Sequence, residues 1–463
     1  MKAVPRITGG SSRSGRGGPG RPTRLRPFGW ALGVLVAALL SSCAPAPASQ
    51  PATTAPTSGS QPTPAASGQV TLNFIGAEPE ETFKTAIAQF QQKNPGITVV
   101  YNSVPFADLS NTLQSRLGAQ DPSLDVYMAD EPTVPSLASR NFLVPLEQER
   151  QKLESSVARE ALEAVTWDGK IYSLPISTST AVLFYNKKFL SGAAAPSMDT
   201  SARWTWEQTI DAARKAQQAG ARSGFSFQQV DRYYQLQVLP ESLGAGPGLT
   251  GADLLTPAVT SDGWVRAMEW YWSTFNDGVS PRGVAVGQIP DLFANGELAI
   301  MVGNPIYIQK FAQTQGLEYG VAPQPFFANG KAVTPTDGWS LGISPYSTHR
   351  DEALRFLEFL ALDPEGTTAW SAGRSLTPAN TQAFDKWTAT LAQQGGAQTQ
   401  GIDTLIRSEL STTAIHRPRT IGYVAFEGVM NRAFADIRNG SDARQRLEQA
   451  QQELTSTLGR LKG

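Results

Sequence analysis

Between Trp167 and Leu190 the chain reads Trp-Asp-Gly-Lys-Ile-Tyr-Ser-Leu-Pro-Ile-Ser-Thr-Ser-Thr-Ala-Val-Leu-Phe-Tyr-Asn-Lys-Lys-Phe-Leu. Asp168-Gly169 is a turn dipeptide. Lys170 to Leu174 and Ala181 to Tyr185 are rich in Ile, Val, Tyr and Phe and read as strands. Between them, Ser177, Thr178, Ser179 and Thr180 are small and hydroxylated, with little to bury. Two strands joined by a polar stretch that need not turn back predict a chain passing from one lobe to another. Its hydroxyls are also suited to bonding a polar ligand held between the lobes. A plain hairpin with an exposed Ser/Thr loop is the other arrangement the spacing permits.

The two ends of the chain set the compartment. The first 42 residues carry seven basic side chains and no acidic one, and include an apolar run from Phe28 to Leu40. That run is too short to span a bilayer as a mature helix, and the pattern is that of a secretory signal. It ends Leu40-Ser41-Ser42-Cys43, which is similar to a bacterial lipobox. The resemblance implies lipidation of Cys43 as the mature N-terminus, with a two-chain anchor on the cell envelope. Cys43 is the only cysteine, so an intrachain disulfide is excluded and a metal–thiolate site is not expected. Residues 44–69 contain only Ala, Pro, Ser, Thr, Gln and Gly, a disordered tether with a reach of roughly 28 Å.

Seven of the 39 basic residues fall in the signal, leaving 32 against 40 acidic, a net charge near −8 for the remainder. Nucleic acid is therefore not an expected partner. The remaining length exceeds one typical core, so two lobes are expected. Val70 to Ile75 alternates as a strand, Glu80 to Lys93 has Phe83, Ile87 and Phe90 at helical spacing, and Asn94-Pro95-Gly96 stops that helix. Ile97 to Tyr101, Asp108 to Ala119 and Asp125 to Ala129 continue the βαβ alternation, which predicts a parallel sheet. Ligands of such sheets sit at the carboxyl ends of strands: here Gly76 to Glu78, Ser103 to Phe106, and Asp130-Glu131. Asp130 and Glu131 can accept hydrogen bonds from ligand hydroxyls or cap the next helix.

Three segments resemble the family 1 extracellular solute-binding proteins, which include the maltose-binding protein and deliver ligands to ABC importers. The first is Gly169-Lys170-x-Tyr172-x-Leu174-Pro175 followed by Leu183-Phe-Tyr-Asn-Lys-Lys-Phe-Leu190. The second is Phe293-Ala-Asn-Gly296-Glu-Leu-Ala299-Ile-Met-Val-Gly303-Asn304-Pro305. The third is Thr336-Asp337-Gly338-Trp339-Ser340-Leu-Gly342-Ile343. Arg350 to Leu362 and Trp370 to Pro378 also match the family pattern, so the resemblance covers essentially residues 70–460. It implies a two-lobed α/β periplasmic-binding-protein-like fold of type II with a three-segment hinge. The first lobe would comprise 70–178 and 334–377, the second 179–333 and 378–463.

The same resemblance implies a ligand site. Asp130 or Glu131 would contact sugar hydroxyls, Ser177 and Ser179 lie at the first crossover, and Ser179 stands where maltose-binding relatives have an acidic contact. Tyr234 would pack on the ligand, Asn304 and Gly303 would donate to it, and Tyr307 occupies the place of a stacking Trp. Asp337 replaces the first glycine of a Gly-Gly pair. Trp339 is the best ring for the apolar face of a pyranose, although a core role fits a strand Trp equally. Tyr423 and Phe426 would line the second lobe.

The expected ligand is a neutral mono- to trisaccharide, and the expected partners are that sugar, an ABC permease and, through the anchor, the membrane; the protein is expected to be a monomer without cofactor or metal. The alternative ligand is a phosphorylated polyol such as glycerol-3-phosphate or its diesters, held by Arg374, Arg417 and Arg419, unless these form surface or hinge salt bridges. A secreted glycoside hydrolase is more remote, because nothing fixes two carboxylates about a bond. Gly338-Trp-Ser340-Leu-Gly342 fits G-x-S-x-G, with Asp403 and His416 following, but extended chain after the Ser argues against a nucleophile elbow. His349 and His416 are the only histidines and lack zinc-site spacing.

Overall fold

The computed structural model describes residues 69–371 and 376–462. Cys43, the signal, most of the tether and Arg374 lie outside the described residues. Two sheets organise the body. The first has the order Ile97–Ser103, Val70–Gly76, Val126–Asp130, Trp339–Ile343, Leu174–Pro175. Its first three strands are parallel, as the βαβ alternation predicts, and Trp339–Ile343 enters antiparallel to Val126–Asp130. The second has the order Tyr319–Pro323, Val182–Asn186, Leu298–Gly303, Ser223–Phe227, with only the last two parallel.

The Ser/Thr stretch does not make a hairpin. Leu174–Pro175 pairs in the first sheet and Val182–Asn186 in the second. The predicted strand at Lys170 to Leu174 is broken into Lys170–Ile171, which closes a turn onto Thr166–Trp167, and Leu174–Pro175. Asp168 (φ +47°) and Gly169 (φ +72°) make that turn, a conformation that Asp and Gly tolerate best. Ser177–Thr178 pairs with Thr377–Pro378, and Thr334–Pro335 with Ala414–Ile415, so the chain segments between the sheets lie side by side.

The central strands Val126–Asp130, Val182–Asn186 and Leu298–Gly303 are covered on both faces and are correspondingly apolar, whereas the edge strand Ile97–Ser103 is partly exposed. In the first sheet Leu72, Phe74, Val126 and Met128 pack against Phe83, Phe90, Phe356 and Leu360, while Tyr127 and Ala129, one residue out of phase, meet Leu109, Leu113 and Leu137. The second sheet packs against Trp206, Trp264, Met268, Tyr271, Phe426 and Phe434. Thr205 caps the Trp206–Gln218 helix through a reciprocal bond pair with Gln208. Trp206 and Trp264 are fully buried and serve the core.

Candidate functional site

Antiparallel pairing puts the first residue of Trp339–Ile343 beside the last of Val126–Asp130, so Trp339 and Asp130 are register partners at one edge of the first sheet. Facing them are Gln228 and Gln229, just past Phe227, and Asn304, just past Gly303, at the carboxyl ends of the parallel pair in the second sheet. The space between is a cavity of about 320 Å³, also lined by Ser177, Thr178, Ser179, Tyr234, Tyr307 and Asp337.

Arg417 ties this wall together. Its Nη1 donates to Asp130 at 2.8 Å, its Nε to Asp337 at 2.7 Å, and its backbone N–H to the same Asp337 carboxylate at 3.0 Å. Its side chain is 6% exposed, and the rings of Tyr234 and Tyr423 lie 5.4 and 5.5 Å from the guanidinium. His416 Nδ1 lies 2.9 Å from the other Asp337 oxygen. Burial alone would push the Asp337 carboxyl up, but Arg417 and His416 outweigh it and hold it below its usual range. For Asp130, burial wins over the guanidinium and pushes the carboxyl up. Asp337 sits at φ +151°, a region open mainly to glycine, and its bonds to Arg417 and His416 hold it there. The next residue must be glycine: a Cβ on Gly338 would lie 1.8 Å from the Ser177 carbonyl oxygen.

Eight of the anticipated ligand residues line one cavity: Asp130, Ser177, Ser179, Tyr234, Asn304, Tyr307, Asp337 and Trp339. Several have their polar atoms engaged already. Ser177 accepts the Trp339 N–H at 2.9 Å, and Ser179 Oγ bonds Tyr234 Oη at 2.7 Å. Three expectations need correction. Glu131 is 2% exposed and turned away from the cavity, where it accepts the Gly338 N–H at 2.6 Å. Tyr423 is fully buried behind Arg417 and donates no surface to the cavity. Phe426 is likewise core, edge-on to Tyr233. Arg419 bonds the Glu163 carbonyl and borders a separate depression.

Sequence reading missed Gln228, Gln229 and Arg232 as wall residues, although their place just after a strand was the signal. Glu427 lines the cavity too, one helical turn after Tyr423 on Tyr423–Arg438; without Arg417 in view nothing marked it. Ser340 is no nucleophile: it lies within a strand, fully buried, with its hydroxyl on Ala129 O and Ser173 Oγ.

A family model described as bacterial extracellular solute-binding protein matches residues 85–398. The chain belongs to that family. Among curated relatives of this binding protein, the maltodextrin-binding protein MdxE of Bacillus subtilis is 25% identical over 316 residues, 66% of this chain and 73% of that one. The galactooligosaccharide-binding protein of the same organism is 23% identical over 318 residues, 66% and 72%. The fold matches an ABC substrate-binding protein of Listeria monocytogenes in complex with cycloalternan, with TM-score 0.73, 20% identity and coverage of 84% and 99%. Maltose-bound MalE3 of T. maritima matches equally well, with TM-score 0.73 and 20% identity over 84% of this chain and 99% of that one. These likenesses establish the two-lobed α/β fold of type II binding proteins for this chain.

The burial of Glu131 has a measurable consequence. Desolvation and the neighbouring Asp337 and Asp130 push its carboxyl well above the usual range. A group whose folded pKa is raised contributes stability below its unfolded pKa, about 4.3, and loses it as pH rises. Glu131→Gln keeps the oxygen that accepts the Gly338 N–H and removes the titration. Its melting temperature is expected to match the wild type at pH 4.5 and exceed it at pH 8. A constant offset between the two pH values would mean that Glu131 ionises normally.

Proposed function

We propose that this binding protein is the substrate-binding component of an ABC importer for a neutral carbohydrate, a mono- to trisaccharide. The observation that carries the reading is the composition of the cavity wall. Trp339, Tyr234 and Tyr307 supply apolar ring faces, Gln228, Gln229 and Asn304 supply amides, and Arg417 is neutralised by Asp130 and Asp337. Rings pack on the C–H face of a pyranose while amides orient its hydroxyls. A volume of about 320 Å³ is at the small end of ligand sites. The relatives named for maltodextrin and galactooligosaccharide support the same class.

In this reading residues 70–178 and 334–377 form one lobe and 179–333 and 378–463 the other. The chain crosses between them three times, and closure is a rotation about those crossings. Preferential affinity of the ligand for the closed form shifts the population toward the form a permease engages. The protein is extracytoplasmic, as its family description says; we assign it a lipid anchor at Cys43, a tether through residue 69, and a monomeric state. The phosphorylated polyol is disfavoured, because Arg417 is committed to carboxylates and Arg419 to a carbonyl.

A thermal-shift screen tests this reading. Maltose, maltotriose, galactooligosaccharides and monosaccharides would be compared with glycerol-3-phosphate and glycerophosphocholine. A ligand at about 100 times its Kd adds roughly 2.7 kcal/mol of stability, a shift of several degrees. At least one sugar is expected to give it and the phosphates none; a shift with the phosphates alone would reverse the assignment.

A further inference from the structure

Three carboxylates that the sequence suggests as ligand contacts are committed within the protein. Asp130 and Asp337 share the Arg417 guanidinium, and Glu131 holds the Gly338 N–H. All three stand at the edge of the first sheet. Across the cleft is a carboxylate in a different situation. Glu427 comes from the Tyr423–Arg438 helix, whose buried face of Tyr423, Phe426 and Met430 belongs to the core of the second sheet. It follows Tyr423 by four residues, so the two side chains stand one above the other, and the Tyr423 hydroxyl bonds the carboxylate. Glu427 lines the main cavity with its side chain 19% exposed, and Arg417 Nη1 is 3.9 Å away, beyond hydrogen-bond reach.

Burial pushes the Glu427 carboxyl up, and Arg417, the Tyr423 hydroxyl and Arg232 offset only part of that. A carboxylate short of its hydration is stabilised by further donors, and hydroxyls are the donors that a neutral sugar brings. We propose that Glu427 accepts a hydrogen bond from one particular hydroxyl of the bound sugar, and so sets which hydroxyl pattern the site prefers. The inference rests on the carbohydrate reading and adds to it the residue that discriminates among sugars. An ionised carboxylate has no donor of its own, so its partner must present an O–H, and a charge-assisted bond of this kind is about twice as strong as a neutral one. The same ligand would then meet the Trp339 ring from the first sheet and this carboxylate from the opposite wall.

Titration calorimetry with maltotriose, galactotriose, glucose and galactose is the test. For whichever of these binds the wild type most tightly, Glu427→Ala should lower affinity about tenfold, and Glu427→Gln, which keeps an acceptor of the same shape, should lower it less. That sugar is then offered with each hydroxyl in turn replaced by fluorine, which nearly keeps the size and removes the donor. At one position the replacement should weaken binding to the wild type about tenfold and leave binding to Glu427→Ala unchanged, while at the others the two proteins should lose affinity alike. Glu427→Gln gives the same cycle with a smaller coupling, should the alanine variant fail to fold. Melting temperatures without sugar should stay within about 2 °C of the wild type in both variants. Unchanged affinity in Glu427→Ala, or losses that add at every fluorinated position, would overturn the inference and leave the sugar reading standing; a lowered melting temperature with either result would make Glu427 a support for Arg417. No heat from any of the four sugars would overturn both.

Discussion

Arg417→Ala is expected to be the most destabilising single substitution in the cleft wall, by about 3–5 kcal/mol, the usual cost of removing one partner from a buried ion pair. The cost arises from what is left behind. Asp130 and Asp337 would face each other without the guanidinium, and Asp337 would remain at φ +151° with only His416 to hold it. The pH dependence gives the effect a signature. In the wild type the Asp337 carboxyl is depressed, so its contribution is present above the unfolded value of about 3.9 and is lost only as pH falls through the lower folded value. Without Arg417 the burial of Asp337 is opposed by His416 alone, and its pKa is expected to move above the unfolded value. Stability then falls as pH rises, so the deficit of Arg417→Ala should be largest near pH 8 and shrink toward pH 4. Chemical denaturation at both pH values measures this; a deficit independent of pH would locate the role of Arg417 in packing against Tyr234 and Tyr423 instead.

Trp339→Ala is expected to give the largest loss of ligand affinity. Trp339 is half-buried, lines the cavity, and is held in place by strand pairing to Asp130 and by Phe106. A preorganised Trp of this kind contributes about 2 kcal/mol or more to binding, roughly a 30-fold change in Kd. Trp339→Phe keeps a ring on the strand and should recover part of it. Titration calorimetry on folded variants decides the point. Affinity unchanged in Trp339→Ala would return this residue to the core reading that its strand position also allowed.

Local chemistry made much of the fold legible. Asn94 after Lys93 and the period of Phe83 and Phe90 marked a helix end and a helix face because stop signals and periodicity are short-range. The Ser177–Thr180 segment was only half legible: its spacing permitted either a hairpin or a passage between sheets, and the structure has the latter. The site was less accessible. Asp130 and Glu131 are adjacent and chemically alike, and only the point where the strand ends sends one to the cavity and the other under Gly338. Arg417 meets Asp130 across 287 positions of sequence, a pairing that no local pattern encodes. Its sequence therefore allowed either an anion-binding cation or a salt-bridge partner, and it is the salt-bridged centre of the wall. Tyr423 was misplaced by the same omission, since it packs on that hidden guanidinium.

The measurement that tests the central claim most directly is calorimetric titration of the described body, residues 69–463, with the sugars that shift its melting temperature and with glycerophosphocholine, each at 50 and 500 mM salt. Capture of a neutral guest between the two sheets predicts one site per chain for a sugar and an affinity that changes little with salt, since screening acts on charge. Heat from glycerophosphocholine alone, with affinity falling steeply at high salt, would contradict it.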